Sequence, residues 1–278
     1  MFDFSKFQPK QGASAEANQS SNLRIQSLAP HVYHIDNNRQ HFDFDILIEQ
    51  YLEGPPLTLE KFQLPKVAAV LAKLHSLRLD GMKFITWQDP LEDTYNFVKK
   101  DIAHYEIRKT AEQEIITLTE QILKKIRPRV LKTNLPFKAV SLNHTDAVCD
   151  NFILTPQGLR LIDWEKPRQD DCTYDLSCFL AEPAQLWCSD HVLDTEERED
   201  FITEYARLSG KNAELLRQKV RIREPMVALH WMLWGATKLC DLREARTTLE
   251  LLEAHEEKTA RYETLSQVES FEKLLEEL

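Results

Sequence analysis

A short stretch in the middle of the chain brings together the residue types that phosphoryl transfer requires. His144, Thr145 and Asp146 are followed by Asn151, five positions after the aspartate, and Asp163 comes twelve residues later. A carboxylate can orient an acceptor hydroxyl and take its proton, while hard oxygen ligands hold Mg²⁺ against nucleotide phosphates. Such ligands suit magnesium and do not suit zinc. The set therefore predicts a Mg²⁺-dependent phosphotransfer site.

Short strands are predicted on both sides of these residues. Ala139–Leu142 and Phe152–Leu154 are apolar runs, and Leu159–Ile162 is a third. The Thr-Pro-Gln-Gly sequence at 155–158 favours a turn, so the second and third runs should form a hairpin. The loop after the first run would project one polar group of residues, and the hairpin would return Asp163 to the same cleft.

The rest of the chain is predicted to be mostly helical behind a small β-containing front. Phe42–Leu52 is rich in strand-forming residues, and Glu60–Leu79 has apolar residues at helical spacing. Further helices are predicted at about 90–107 and 111–131, and again from Asp175 almost to the end, with one or two exposed helices over 242–278.

Composition narrows the class of protein. The chain has 278 residues with 35 Lys and Arg against 45 Asp and Glu, a formal net charge of −10. This acidity argues against a nucleic-acid or anionic-membrane partner and is compatible with a cationic substrate. The five cysteines show no metal-binding spacing, and neither a signal peptide nor an apolar stretch of about 18 residues is present. We expect a cytoplasmic protein with reduced thiols.

The central motifs resemble those of a known superfamily. NHTDAVCDNFIL, followed by LRLIDWEKPRQDDCTYDLSCFL, is similar to the phosphotransfer core of the aminoglycoside phosphotransferases and choline kinases, which share the protein-kinase-like fold. The resemblance implies that Asp146 is the catalytic base and that Asn151 and Asp163 are the metal ligands. It implies that His144 braces the loop and that Asp175 supports it from below. Asp-Trp-Glu in place of Asp-Phe-Gly favours small-molecule kinases over protein kinases.

The same resemblance extends towards the start of the chain. Ile46–Gly54 is similar to the hinge strand of the family, which implies that the backbone near Glu49 and Tyr51 meets the adenine of ATP. A Leu-His pair ending at His75 matches the first helix of the large lobe. Residues 15–36 are similar to the regulatory helix of choline kinases and would place its glutamate at Glu16.

One expected part of the family pattern is not visible. The chain has only six glycines, and no glycine-rich phosphate-covering hairpin precedes the hinge. Lys6 could be the phosphate-binding lysine with Glu16 as its partner, or it could belong to a polar terminus. Three explanations stay open: an incompletely annotated gene start, a pseudokinase or binding protein that has lost turnover, and a minimal kinase.

Two further assignments concern the acceptor and the metal. Trp231 and Trp234 lie on an apolar segment similar to the aromatic helix of choline and ethanolamine kinases, where they could bind an ammonium group. A tryptophan pair three residues apart could equally be part of the core. Glu165 could contact metal or substrate, or support the site through hydrogen bonds.

Taken together, these features predict an α+β, protein-kinase-like two-lobed fold. Residues 1–53 would form a reduced β-containing N-lobe and hinge, and 54–278 a large helical C-lobe with the catalytic loop and metal-binding hairpin at 142–165. The expected activity is ATP- and Mg²⁺-dependent transfer to a hydroxyl of a small molecule, of the amino alcohol, sugar or aminoglycoside class. The alternative is a pseudokinase, and the sequence specifies no oligomeric state.

Overall fold

The computed structural model describes residues 27–40, 42–79, 83–244 and 256–278. Its helices are α1 (Leu64–His75), α2 (Pro90–Glu106), α3 (Gln113–Lys132), α4 (Thr173–Leu180), α5 (Glu182–Cys188), α6 (Thr195–Ser209), α7 (Ala213–Arg243), α8 (Glu256–Leu265) and α9 (Val268–Glu277). Its strands are β1 (Val32–Asp36), β2 (Ile46–Glu49), β3 (Ile85–Thr86), β4 (Ser141–Asn143), β5 (Phe152–Thr155), β6 (Gly158–Leu161) and β7 (Arg168–Asp170). Single 3₁₀ turns cover Lys61–Gln63 and Cys149–Asn151. The predicted roles of Lys6 and Glu16 lie outside the described residues.

The predicted hairpin is confirmed and joins the front of the chain to its helical part. β5 pairs with β6 in antiparallel register, with Phe152 opposite Leu161. The amide of Leu161 donates to the carbonyl of Leu28 at 2.7 Å, just before β1. On the other side, the amide of Leu154 donates to the carbonyl of Pro55 at 2.9 Å, just after β2. The antiparallel β1–β2 ribbon is thus attached to both strands of the hairpin.

A second small sheet positions the loop that follows β4. Its strand order is β3-β7-β4, with β3 parallel to β7 and β4 antiparallel to it. Asn143, the last residue of β4, lies opposite Arg168. The backbone therefore enters the predicted catalytic loop from a strand whose residues are all buried.

Local sequence explains where the helices begin and end. The helix predicted over Glu60–Leu79 is shorter at both ends. It begins only at Leu64, because Pro65 lacks the backbone amide that would bond to a carbonyl in a preceding turn. The hydroxyl of Ser76 donates to the carbonyl of Lys73 at 2.8 Å and closes α1 at its other end. α6 begins with a capping box formed by Asp194 and Glu197.

The buried apolar residues form two cores that meet at α4. The first core lies among α1, the hairpin, α4 and α6 and includes Leu71 and Phe179. The second lies among α2, α3 and α7 and includes Val98 and Leu233. Every residue of α4 is buried, so the helix serves both cores. The predicted division of the chain at residue 54 stays a prediction.

The two helices predicted over 242–278 are present as α8 and α9, but the expectation that they are exposed is wrong. Tyr262, Leu265, Phe271 and Leu274 have exposed fractions of 7%, 1%, 0% and 9%. One face of each helix is apolar and packs against α7 or α3. Within the described ranges, no helix combines the length and apolar character that crossing a membrane would require.

Candidate active site

The loop after β4 is held from beneath by one buried carboxylate. Asp175, in the first turn of α4, has no exposed surface. The amide of His144 donates to its Oδ2 and the amide of Thr145 to its Oδ1, both at 2.8 Å. Thr145 has a φ of 75°, a left-handed conformation that a β-branched residue rarely adopts. Asp175 therefore holds the backbone of the two residues that precede Asp146.

Asp146 leaves this loop beside Asn151. The side-chain amide of Asn151 donates to Asp146 Oδ2 at 2.7 Å and to the Asp146 carbonyl at 2.9 Å. Burial raises the pKa of the Asp146 carboxyl, and the nearby charge of Asp163 raises it further, against the opposing effects of His144, Asn151 and His230. A more basic, half-buried carboxylate at the end of a fixed loop is suited to accept a proton from a hydroxyl.

The hairpin brings Asp163 to the same place. The amide of Ile162 donates to the carbonyl of Asn151 at 2.9 Å, so the residue before Asp163 is tied to the loop. Asp163 is exposed with a φ of 60°, and its carboxylate makes no hydrogen bond to the described part of the chain. Its charge acts on Asp146, which places the two carboxylates near each other.

The available donors fit Mg²⁺. Asn151 offers an amide oxygen and Asp163 a carboxylate, both hard ligands. Among the described residues, no cluster of three or more His, Cys, Asp or Glu side chains is arranged to hold a metal ion. A site with one or two protein ligands is typical of magnesium that is completed by water and nucleotide phosphates.

His144 links the loop to the hairpin. Its Nε2 lies 2.8 Å from the carbonyl of Ile162, which only accepts, so Nε2 carries the hydrogen. Its ring lies edge to face with Trp164, with centroids 4.6 Å apart. The carboxylate of Glu165 is half exposed and pairs with the adjacent Lys166 at 2.6 Å, and its predicted role beside the site stays a prediction.

The predicted hinge residues lie on β2 and just after it. Partial burial and the negative charge of Asp163 raise the pKa of Glu49, which places this end of β2 on the side of the metal-ligand candidates. Tyr51 is 87% exposed. The roles of Glu49 and Tyr51 in binding adenine stay predictions.

Trp231 and Trp234 belong to an aromatic cluster that sequence reasoning only half anticipated. Trp234 lies 5.3 Å from Trp231, 4.9 Å from Trp187 and 5.4 Å from Tyr262, measured between ring centroids. Trp231 is 8% exposed, so its indole ring is buried. The pair is thus packed as the core alternative expected, on a helix that contacts α4, which carries Asp175.

Sequence reasoning missed a second aromatic group near the loop. The guanidinium of Arg168 lies 3.3 Å from the ring centroid of Trp87 and 3.8 Å from that of Tyr174. On α7, Nδ1 of His230 lies 2.8 Å from Oδ2 of Asp101, which belongs to α2. No local pattern connects these residues, because they come from separate parts of the chain.

Comparison with solved structures identifies the fold. The choline kinase LicA of Streptococcus pneumoniae matches with a TM-score of 0.58 and 21% identity, covering 92% of this chain and 79% of that one. LicA in complex with AMP matches with a TM-score of 0.57. The Plasmodium vivax ethanolamine kinase gives 0.56 and 18% identity, with 96% and 75% covered. A type VIII aminoglycoside-3'-phosphotransferase gives 0.53 and 18%, with 77% and 78% covered. The predicted α+β, protein-kinase-like fold is confirmed.

Comparison at the level of sequence addresses the family. A search of curated proteins gives no match. The sequence profile of choline/ethanolamine kinases, however, matches residues 14–263, which is most of the chain. That range includes the catalytic loop, the hairpin and the helix of Trp231, so the chain belongs to the choline/ethanolamine kinase family.

Proposed function

We propose that this protein transfers the γ-phosphoryl group of ATP, with Mg²⁺, to the hydroxyl of a small amino alcohol. The observation that carries the proposal is the hydrogen bond between Asn151 and Asp146 on the loop held by Asp175, with the hairpin that carries Asp163 tied to Asn151 through the Ile162 amide. Family membership supports phosphotransfer to a small molecule.

Each residue of the cleft has a distinct task in this reaction. Asp146 orients the acceptor hydroxyl and takes its proton as the new P–O bond forms and the bond between the γ-phosphorus and the leaving ADP breaks. Asn151, through its amide oxygen, and Asp163 would hold Mg²⁺, which supplies charge neutralisation on the phosphates when bound. The backbone near Glu49 and Tyr51 would meet the adenine, and Lys6 would position the phosphates.

Acceptor choice is the finer part of the proposal. Trp231 and Trp234 present indole rings on α7, and Trp187 and Tyr262 complete the cluster. Aromatic faces attract ammonium groups, with about 0.5–2 kcal/mol for each favourable cation–π contact. We therefore infer that the acceptor is cationic and that this cluster contributes to its binding.

The proposal is tested by measuring Mg²⁺-dependent ATP turnover by the full chain. The acceptor panel includes choline, ethanolamine, a hexose, an aminoglycoside and ethylene glycol, the neutral counterpart of ethanolamine. We expect turnover with an amino alcohol and little with ethylene glycol. Turnover with none of the acceptors would refute the proposed reaction, and preference for the neutral diol would refute the cationic acceptor.

Two variants four residues apart separate the loss of the general base from the loss of a negative charge. Asp146→Asn should lower kcat by about 10²–10⁴-fold, since it removes the general base. Asp150→Asn removes the same charge from the exposed residue just before Asn151 and should leave kcat unchanged. Equal losses in both variants would show that the charge of the loop, and not the base, matters.

A thermal-shift titration distinguishes an enzyme from a pseudokinase. Mg²⁺-ATP should stabilise the protein more than ATP alone, and Asp163→Asn should remove the extra stabilisation by the metal. Stabilisation by Mg²⁺-ATP without turnover on the acceptor panel would instead identify a nucleotide-binding protein that has lost catalysis.

A further inference from the structure

Tyr205 of α6 reaches the predicted catalytic machinery through a buried histidine. Its side chain has no exposed surface, and α6 packs against α1. The Tyr205 hydroxyl lies 2.8 Å from Nδ1 of His75, the last residue of α1, and the two rings lie edge to face with centroids 5.7 Å apart. Neither residue contacts the cleft, so any effect on chemistry must pass through other groups.

The hydrogen-bond directions in this chain are determined by what each group can do. Nε2 of His75 lies 3.1 Å from Asp175 Oδ2, and neither side chain is exposed. An ionised carboxylate only accepts, so Nε2 carries the hydrogen. In the neutral imidazole, Nδ1 is then an acceptor, and the Tyr205 hydroxyl is its donor. Tyr205 therefore favours the tautomer of His75 that donates to Asp175.

Asp175 passes this arrangement to the catalytic loop. Burial raises the pKa of its carboxyl, but the hydrogen bonds that it accepts from the His75 side chain and the His144 amide lower it below the ordinary value. The ionised carboxylate accepts from the amides of His144 and Thr145, at 2.8 Å each. These two residues immediately precede Asp146.

We propose that Tyr205 is a positioning residue of the phosphotransfer site, acting through His75 and Asp175 on the backbone that carries Asp146. The role in catalysis rests on the proposed function, whereas the effect on the loop does not. Tyr105 provides a matched control, since it is equally buried and its hydroxyl accepts from the amide of Glu112 at 2.9 Å, away from the loop.

The first test is hydrogen exchange of individual amides in the full chain. In Tyr205→Phe, the His144 and Thr145 amides should exchange at least about tenfold faster, since His75, which supports their acceptor Asp175, has lost the hydroxyl that orients it. Tyr105→Phe should lower the melting temperature similarly and leave these two amides unchanged. Unchanged exchange at both amides in Tyr205→Phe would overturn the proposal, as would equal acceleration in both variants.

The second test uses kinetics. Tyr205→Phe should lower kcat by about tenfold while KM for ATP and for the acceptor stays within about twofold, since binding groups are untouched. In His75→Gln, the glutamine amide keeps an N–H donor near the place of Nε2, but the imidazole that Tyr205 orients is gone. Adding Tyr205→Phe to His75→Gln should therefore lower kcat no further. Additive effects, or a change in KM alone, would overturn the proposal. An inactive wild type would refute the proposed reaction, and the exchange experiment would still decide the effect on the loop.

Discussion

A buried cluster of five charged residues beside the catalytic loop predicts that losing a carboxylate destabilises the fold more than losing an arginine. The guanidinium of Arg223 donates to both oxygens of Asp170, at 2.8 and 2.7 Å, and Arg168 Nε donates to the same carboxylate at 3.1 Å. Lys219 Nζ donates to Asp171 at 2.7 Å. All five residues are buried. Three cations thus share two carboxylates, and the cluster already carries an excess positive charge.

This imbalance determines which substitution is worse. Asp170→Asn leaves three buried cations with one carboxylate, whereas Arg223→Met leaves two cations with two carboxylates. Removing one partner of a buried ion pair costs about 3–5 kcal/mol in the free energy of unfolding. We expect Asp170→Asn at the upper end of that range or beyond, and Arg223→Met at the lower end, although arginine loses the larger number of hydrogen bonds.

The measurement is urea denaturation followed by circular dichroism, together with thermal melting. The entropy of unfolding is about 2.1 cal/mol/K per residue, or about 0.6 kcal/mol per degree for a chain of 278 residues. Losses of about 3–5 kcal/mol therefore lower the melting temperature by about 5–9 °C. Arg207→Met is the control, because the Arg207–Glu204 pair lies on the surface and should leave the melting temperature unchanged. The reasoning is refuted if Arg223→Met is the more destabilising variant, or if both changes are as small as the control.

Two further predictions concern stability. Phe271→Ala should lower the free energy of unfolding, measured by urea denaturation, by about 3–5 kcal/mol, because the ring is fully buried. Phe44→Ala, at a position that is 61% exposed, should lower it little. Equal losses in the two variants would contradict the packing of α9. Burial raises the pKa of Asp171, but the charge of Lys219 and hydrogen bonds outweigh it and hold the pKa below 3.8. The stability that this carboxylate contributes is therefore present above pH 3.8 and is lost as pH falls through its lowered pKa. The urea midpoint should drop between pH 6 and pH 3, and less steeply in Asp171→Asn; an equal slope would contradict the assignment.

The catalytic loop and its hairpin were predictable because their signals are local. Asp146 and Asn151 lie five residues apart on one loop, and Gly158, with a φ of 119°, supplies the turn that returns Asp163. The helices were predicted from periodicity, and their ends depend on single residues such as Pro65. Burial of the C-terminal helices was missed because a charged amphipathic pattern is also typical of exposed helices.

The supports of the site were not predictable, because their partners are distant in sequence. His75 meets Asp175 across 100 residues and Tyr205 across 130. Glu165 lies two residues from Asp163 in sequence, and its half-exposed carboxylate pairs with Lys166, so its role beside the site stays a prediction.

Backbone strain explains why so many buried polar groups surround one loop. Thr145, which precedes Asp146, and Asp163 have φ values of 75° and 60°. Non-glycine residues in this conformation cost of order 1–3 kcal/mol each, and they persist only where several contacts fix them. The Thr145 amide is bound by Asp175, and its hydroxyl donates to the carbonyl of Lys166 at 3.0 Å. The chain of polar groups beneath the loop therefore holds a conformation that the local sequence alone would not adopt, and the positions of the proposed base Asp146 and the proposed metal ligand Asn151 depend on that conformation.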